Sequence, residues 1–266
     1  RDLGGFKCSG SNISKWKRFI RSDGLDNLTE SDIKKLVGYG VKINIDLRSD
    51  EECEGWKDNL CDISEVQYEH IHLLKGLKSY PESLGGLYIE SLKTCTKYFY
   101  EVFKIMIENE DKEILFHCSA GKDRTGMIAA MLLLLIGVDT KDIIENYTLS
   151  MNNLNSIIDK FSYENDESLK EFLGAEAESI NTFLNYLRNE FNGTEGYLKF
   201  IGFNEKDIEI LKFSVILYVF FLVILFGLFF LILIYFPQNK WLLFYIRRFL
   251  IQPIFVLLFI PAFYYQ

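Results

Sequence analysis

No aspartate or glutamate occurs from Phe213 onward: all 37 acidic residues precede it, and the remaining stretch carries only Lys240, Arg247 and Arg248. The first 212 residues therefore hold a formal charge of −11 within a chain of −8. So acidic a domain excludes a general nucleic-acid binder, which grips phosphates through clustered lysine and arginine. Cysteine is sparse and irregular. The five, at 8, 53, 61, 95 and 118, contain no C-x-x-C pair and so no zinc-type spacing. An odd set suits a reducing compartment better than a disulfide framework, and Cys53 and Cys61 read as ordinary thiols. Histidine numbers three. His70 and His72 share one strand face by the two-residue period, but no third ligand lies nearby, so no metal site is expected. Internal repeats and low-complexity linkers are missing, and the opening RDLGGF lacks the charged-then-apolar pattern of a secretory leader.

What is present centres on residues 114–126, ILFHCSAGKDRTG. Ile114, Leu115 and Phe116 have strand character and deliver His117 and Cys118 into a loop, which passes directly into the apolar run 127–136. Strand, loop and helix N-terminus together form an anion cradle. Ala120, Gly121 and Gly126 present little side chain, so backbone N–H groups can converge on one centre at the positive end of a helix. That field favours thiolate over thiol, making Cys118 a nucleophile at neutral pH. The neighbours suit phosphoryl transfer. Arg124 can hold two phosphoryl oxygens, Thr125 can donate to the departing thiolate, and Asp123 can protonate a leaving oxygen. Ser119, Ala120, Gly121 and Lys122 complete the binding loop, with Lys122 a second cation on its rim.

His117, Cys118 and the run from Gly121 to Gly126 carry a resemblance. HCSAGKDRTG resembles the signature loop HCxxGKDRTG of the bacterial tyrosine phosphatase family of cysteine-dependent phosphatases. The resemblance implies hydrolysis of phosphotyrosine, phosphoserine or phosphoinositides without a metal or other cofactor, with the loop aspartate, here Asp123, as the acid. Residues 1–6 and 16–23, RDLGGF and WKRFIRSD, are similar to that family's opening, VKINIDLRS to its IDLRS segment, and YLKFIGFNEKDIEIL to its close. The similarity thus spans residues 1–212. Asp46 and Arg48 stand as a pair supporting the site, as an alternative acid in Asp46, or as a structural ion pair at a strand end.

Elsewhere, Thr29 starts a helix that ends near Gly38 and Gly40. Residues 41–47 and 66–74 read as strands, and 82–108 as one long helix with a wide apolar face. Shorter helices are expected at 140–147, 154–160, 168–173 and 178–191.

Residues 213–236 are uncharged and would extend roughly 36 Å as a helix, enough to cross a hydrocarbon core of about 30 Å. Residues 237–266 read as an aromatic, basic interfacial segment or a second membrane pass. The expectation is an α/β phosphatase domain over 1–212, a parallel or mixed sheet flanked by helices, followed by a transmembrane helix over 213–236. The domain would lie on the cytoplasmic side of a membrane, where Cys118 stays reduced. Its partners would be a phosphotyrosine protein or a phosphoinositide, with membrane lipid meeting residues 213–266. A phospho-ligand binding module without turnover, or a sulfur-transfer or arsenate-reducing enzyme, would use a similar thiolate loop.

Overall fold

The computed structural model describes residues 1–161 and 177–217, with Phe230 and Ile234 beyond them. In chain order its elements are β1 (Ile13–Ser14), β2 (Phe19–Ser22), α1 (Glu30–Tyr39), β3 (Val41–Asp46), α2 (Asp50–Gly55), β4 (Gln67–His70), α3 (Leu84–Thr94), α4 (Thr96–Glu108), β5 (Glu113–His117), α5 (Asp123–Leu135), α6 (Thr140–Phe161), α7 (Ala177–Phe191), α8 (Thr194–Ile201), α9 (Glu205–Val215) and β6 (Ile216–Leu217).

Four strands form a parallel sheet in the order β2, β5, β3, β4. The central strand, β5, is buried on both faces, which explains its unbroken apolar run. Ile114 and Phe116 pack into the large core built with α3, α4 and α5, while Leu115 faces a smaller cluster with Ile20, Val41 and Leu60. In register, His117 stands beside Ser22 on one side and Asp46 on the other. The carboxyl ends of three strands thus meet where the 118–122 loop begins, the edge at which open α/β sheets build their sites. Behind the loop, α5 is buried along nearly its whole length.

Local signals act as read at several helix ends. Thr29 caps α1 reciprocally with Asp32, its hydroxyl accepting from the Asp32 amide at 3.2 Å. Residues 82–108, expected as one helix, break at Cys95, whose φ of −103° and ψ of 22° leave the helical region. Thr94 bonds back to the Glu90 carbonyl at 2.8 Å, a contact that bends helices. The strand expected over 66–74 ends at His70, because turns at Lys75 and Leu77 fold the chain away from the sheet. The helices expected at 140–147 and 154–160 are one helix, α6. The helix at 168–173 lies outside the described residues.

The uncharged run that begins at Phe213 does not begin outside the fold. Phe213, Ser214 and Val215 continue α9, the last two buried, and Ile216 and Leu217 pair antiparallel with Ser14 and Ile13. The rest of 213–236, apart from Phe230 and Ile234, and all of 237–266 lie outside the described residues. Among the described residues no helix is long and apolar enough to cross a membrane.

Candidate active site

The nucleophile candidate leaves β5 almost fully covered, Cys118 being 1% exposed. Three carbonyls of its loop are tied from outside. The His117 carbonyl accepts from the Leu47 amide at 2.9 Å, Ser119 from the Gly24 amide at 2.9 Å, and Gly121 from the Arg21 guanidinium at 2.6 Å. In a trans peptide C=O and N–H point opposite ways, so these ties direct the amides of Cys118, Ala120 and Lys122 toward the concave side. Gly121 has a φ of +62°, and a β-carbon there would lie 2.5 Å from the Ser22 carbonyl oxygen. Only glycine lets the loop press this closely against β2.

A buried polar network supports the loop from below. His117 Nε2 lies 2.8 Å from Asp58 Oδ2, which also accepts from Asn44 at 2.7 Å. Asp46 sits alongside, 3.8 Å from the same imidazole nitrogen, and is held by the Arg48 guanidinium at 2.7 Å and the Tyr68 hydroxyl at 2.9 Å. Burial works against the Asp46 charge, but the bonds from Arg48 and the nearness of His117 together outweigh it and hold the carboxyl at about 2. Arg48 is correspondingly pushed up by Asp46 against the effect of burial. Asp46 and Arg48 are therefore an ion pair in the floor of the site. Asp46, Asp58 and His117 also form the one group with metal-ligating spacing among the described residues. Donors from Asn44, Arg48, Tyr68 and the Leu60 amide already occupy the carboxylates, so the cluster is a hydrogen-bond network.

Arg124, in the first turn of α5, is gripped by Glu52, whose Oε1 lies 2.9 Å from Nη2 while Oε2 accepts from Nη1. The Ser119 hydroxyl donates to the same carboxylate. Burial opposes the Glu52 charge, yet the Arg124 bonds, helped by Ser119, hold the carboxyl at about 2. The Thr125 hydroxyl is buried without a hydrogen-bond partner among the described residues, as a group reserved for a transient partner would be.

Asp123, one residue before Arg124, accepts from the Tyr88 hydroxyl, which in turn lies 2.6 Å from the hydroxyl of Tyr147. Lys122 is 2% exposed, and its Nζ stands 3.4 Å from Asp123 Oδ1. It faces Asp123 rather than the rim, where a second substrate phosphate would need it. Gly126 gives Tyr147 room, since a β-carbon there would sit 2.8 Å from its ring.

Residues 1–216 match the tyrosine phosphatase family. The chain belongs to this family. A tyrosine-protein phosphatase of Nostoc commune is 34% identical over 217 residues, covering 73% of this chain and 72% of its own. The protein H16_A0669 of Cupriavidus necator is 29% identical over 167 residues, 59% of this chain and 61% of its own. Among solved structures, P. aeruginosa TpbA aligns over 52% of this chain and 71% of its own at 16% identity and a TM-score of 0.34, a likeness too slight to argue from.

Within this phosphatase the sequence-predicted loop, His117 to Thr125, comes together with Asp46 and Arg48 beneath it. Glu52, Asp58, Arg21, Tyr88 and Tyr147 were not foreseen. One of them left a trace: Ser49-Asp50-Glu51-Glu52 is a capping-box pattern, and Glu52 Oε2 does accept from the Ser49 amide at 2.7 Å. The two tyrosines left none, for each lies in an ordinary apolar helix face. His70 is bonded to the Arg48 carbonyl at 3.0 Å and lies 3.4 Å from Cys53. The described cysteines are all free.

Proposed function

We propose that the chain hydrolyses phosphotyrosine through a phosphocysteine intermediate on Cys118. The observation that carries this reading is the loop whose carbonyls at His117, Ser119 and Gly121 are tied outward around Cys118, with Arg124 closing it. The Cys118 thiolate attacks phosphorus and the bond from phosphorus to the tyrosyl oxygen breaks, while Asp123 gives that oxygen its proton. Water then attacks the phosphocysteine, Asp123 takes its proton, and the S–P bond breaks to release inorganic phosphate and thiolate. Converging backbone N–H groups and the Arg124 guanidinium stabilise the equatorial oxygens in both steps.

Asp123 is the better acid on geometry. Its side chain, held through Oδ1 by Tyr88 and Lys122, is 34% exposed and so open to a substrate, whereas Asp46 is fully buried and paired with Arg48. The test is the full chain assayed against phosphotyrosine peptides, phosphoserine peptides and a phosphoinositide panel. Phosphotyrosine should be preferred. Binding without phosphate release from a simple aryl phosphate would point to a non-hydrolytic module, and release of sulfide or arsenite to the other thiolate chemistries.

The same reading places the domain at a membrane. Support for it is compositional: with Phe213 to Leu217 absorbed into the fold, residues 218–236 remain uncharged and would extend about 28 Å as a helix, still close to the hydrocarbon thickness. Release of the full chain from membranes by alkaline carbonate would contradict it.

A further inference from the structure

The last paired strand, β6, lies at the pole of the domain remote from the phosphate loop, and two observations agree on this. Strands β2 and β5 run parallel toward the loop, so Phe19 and Glu113 mark the opposite edge of the sheet. The opening segment runs antiparallel first to β2 and then to β1, through bridges of Asp2 with Ile20 and Lys7 with Ile13, which places β1 beyond the amino end of β2. β6 is antiparallel to β1, Ile216 facing Ser14 and Leu217 facing Ile13. At Leu217 the backbone is therefore heading away from the loop. The second observation is α5, which starts in the site at Asp123, packs along β5 and β2, and extends 13 residues, or about 20 Å. Beyond its far end the Ile136 carbonyl accepts from the Ser9 amide at 3.2 Å, in the turn that joins the opening segment to β1. The uncharged residues 218–236 follow Leu217 directly.

Around this pole the surface carries aromatic and basic side chains. Trp16 is 56% exposed and Tyr39 37%, with the Lys17 Nζ 4.7 Å from the centre of the Tyr39 ring and Lys7 exposed nearby. Tryptophan, tyrosine and lysine are the side chains that settle at headgroup depth, each with an apolar body and a polar tip. Glu110 and Asp111 lie near Arg18 on the same pole, so this is not a basic cluster that selects anionic lipid. The anchor, and not charge, would hold the pole to a bilayer. A lipid phosphate lies in the headgroup layer, whereas the phosphate loop stands about one α5 length away on the opposite edge.

We propose that the pole of Trp16 and Tyr39 faces the bilayer that holds residues 218–236, so that the phosphate loop acts on phosphotyrosine of proteins standing off the membrane and not on the phosphate of a lipid in the same leaflet. The proposal rests on the phosphotyrosine and membrane readings above.

The experiment places the full chain in phosphatidylcholine vesicles that carry a phosphotyrosine peptide joined to lipid by a Gly-Ser tether. A tether of about four residues reaches at most about 14 Å, and one of about twenty residues averages about 25 Å. The long tether should be hydrolysed at least about tenfold faster, because only it brings the peptide to the loop at the effective concentration of a shared surface. Both rates are read on one preparation, so chains facing the lumen cancel in the ratio. Inserting a flexible segment of about twenty residues after Leu217 should bring the ratio near one, since the loop can then turn toward the surface. Equal rates for both tethers in the wild type, or a ratio unchanged by the insertion, overturns the orientation while leaving phosphotyrosine hydrolysis standing. So does hydrolysis of phosphatidylinositol phosphate in the same vesicles as fast as its short-chain, water-soluble form. If the chain does not float with the vesicles, the membrane reading falls and takes the orientation with it. If the untethered peptide is left intact, the phosphotyrosine reading falls and the substrate assignment with it.

Discussion

The Glu52 carboxylate holds Arg124 by both terminal nitrogens, with Oε1 2.9 Å from Nη2 and Oε2 accepting from Nη1. The fork proposed to meet a phosphoryl group is therefore aimed in advance by a residue that also caps α2. Glu52→Gln keeps the shape but loses the charge and one acceptor. It should lower kcat by about tenfold to a hundredfold through misplacement of Arg124. Arg124→Lys should be more severe, because a point ammonium cannot span two oxygens. Steady-state kinetics on an aryl phosphate checks both, and unchanged kcat in Arg124→Lys would remove Arg124 from the phosphoryl group.

Tyr88 reaches Asp123 from α3, so the proposed acid is positioned by a helix remote in sequence. Tyr88→Phe should reduce kcat by about tenfold with little change in KM, since the hydroxyl touches Asp123 rather than substrate. Asp123→Asn should cost most with alkyl phosphates, whose leaving oxygen needs a proton, and least with activated aryl phosphates. A loss uniform across leaving groups would move the acid elsewhere.

Much of this site was legible in one stretch of sequence because its chemistry is local. His117 to Thr125 are consecutive, and the spacing of Cys118 and Arg124 carries the geometry with it. The rest depends on contacts far apart in the chain: Glu52 meets Arg124 and Tyr88 meets Asp123 only after the sheet has stacked three strand ends together. Apolar patterning placed α7 and the strands β3, β4 and β5 but could not see the break at Cys95, which a single side-chain bond from Thr94 decides. Nor could composition tell that the uncharged run starting at Phe213 first completes a helix and pairs with β1. Burial of Lys122 against Asp123 was likewise invisible, as a lysine in a loop ordinarily faces water.

Acid should unfold the domain through its floor. Asp46 is lowered from 3.8 to about 2 and Glu52 from 4.5 to about 2, so each contributes stability that is fully present above its unfolded value and lost as pH falls through about 2. Asp46→Asn leaves Arg48 buried without its counter-charge and should cost about 3 kcal/mol at pH 7. The variant should also lose part of the pH dependence of Tm between about pH 4 and pH 2. Thermal denaturation across that window checks it. An Asp46→Asn variant with wild-type Tm at pH 7 would show that the pair contributes nothing.

The central claim is that Cys118 carries the phosphoryl group between the two steps. It is tested most directly by acid-quenching the full chain during turnover of an aryl phosphate and mapping the covalently bound phosphate. The account predicts phosphate on the peptide containing Cys118, and none on that peptide in Cys118→Ser, which should also lose turnover. Hydrolysis at a wild-type rate by Cys118→Ser, or phosphate trapped on a different peptide, would contradict it.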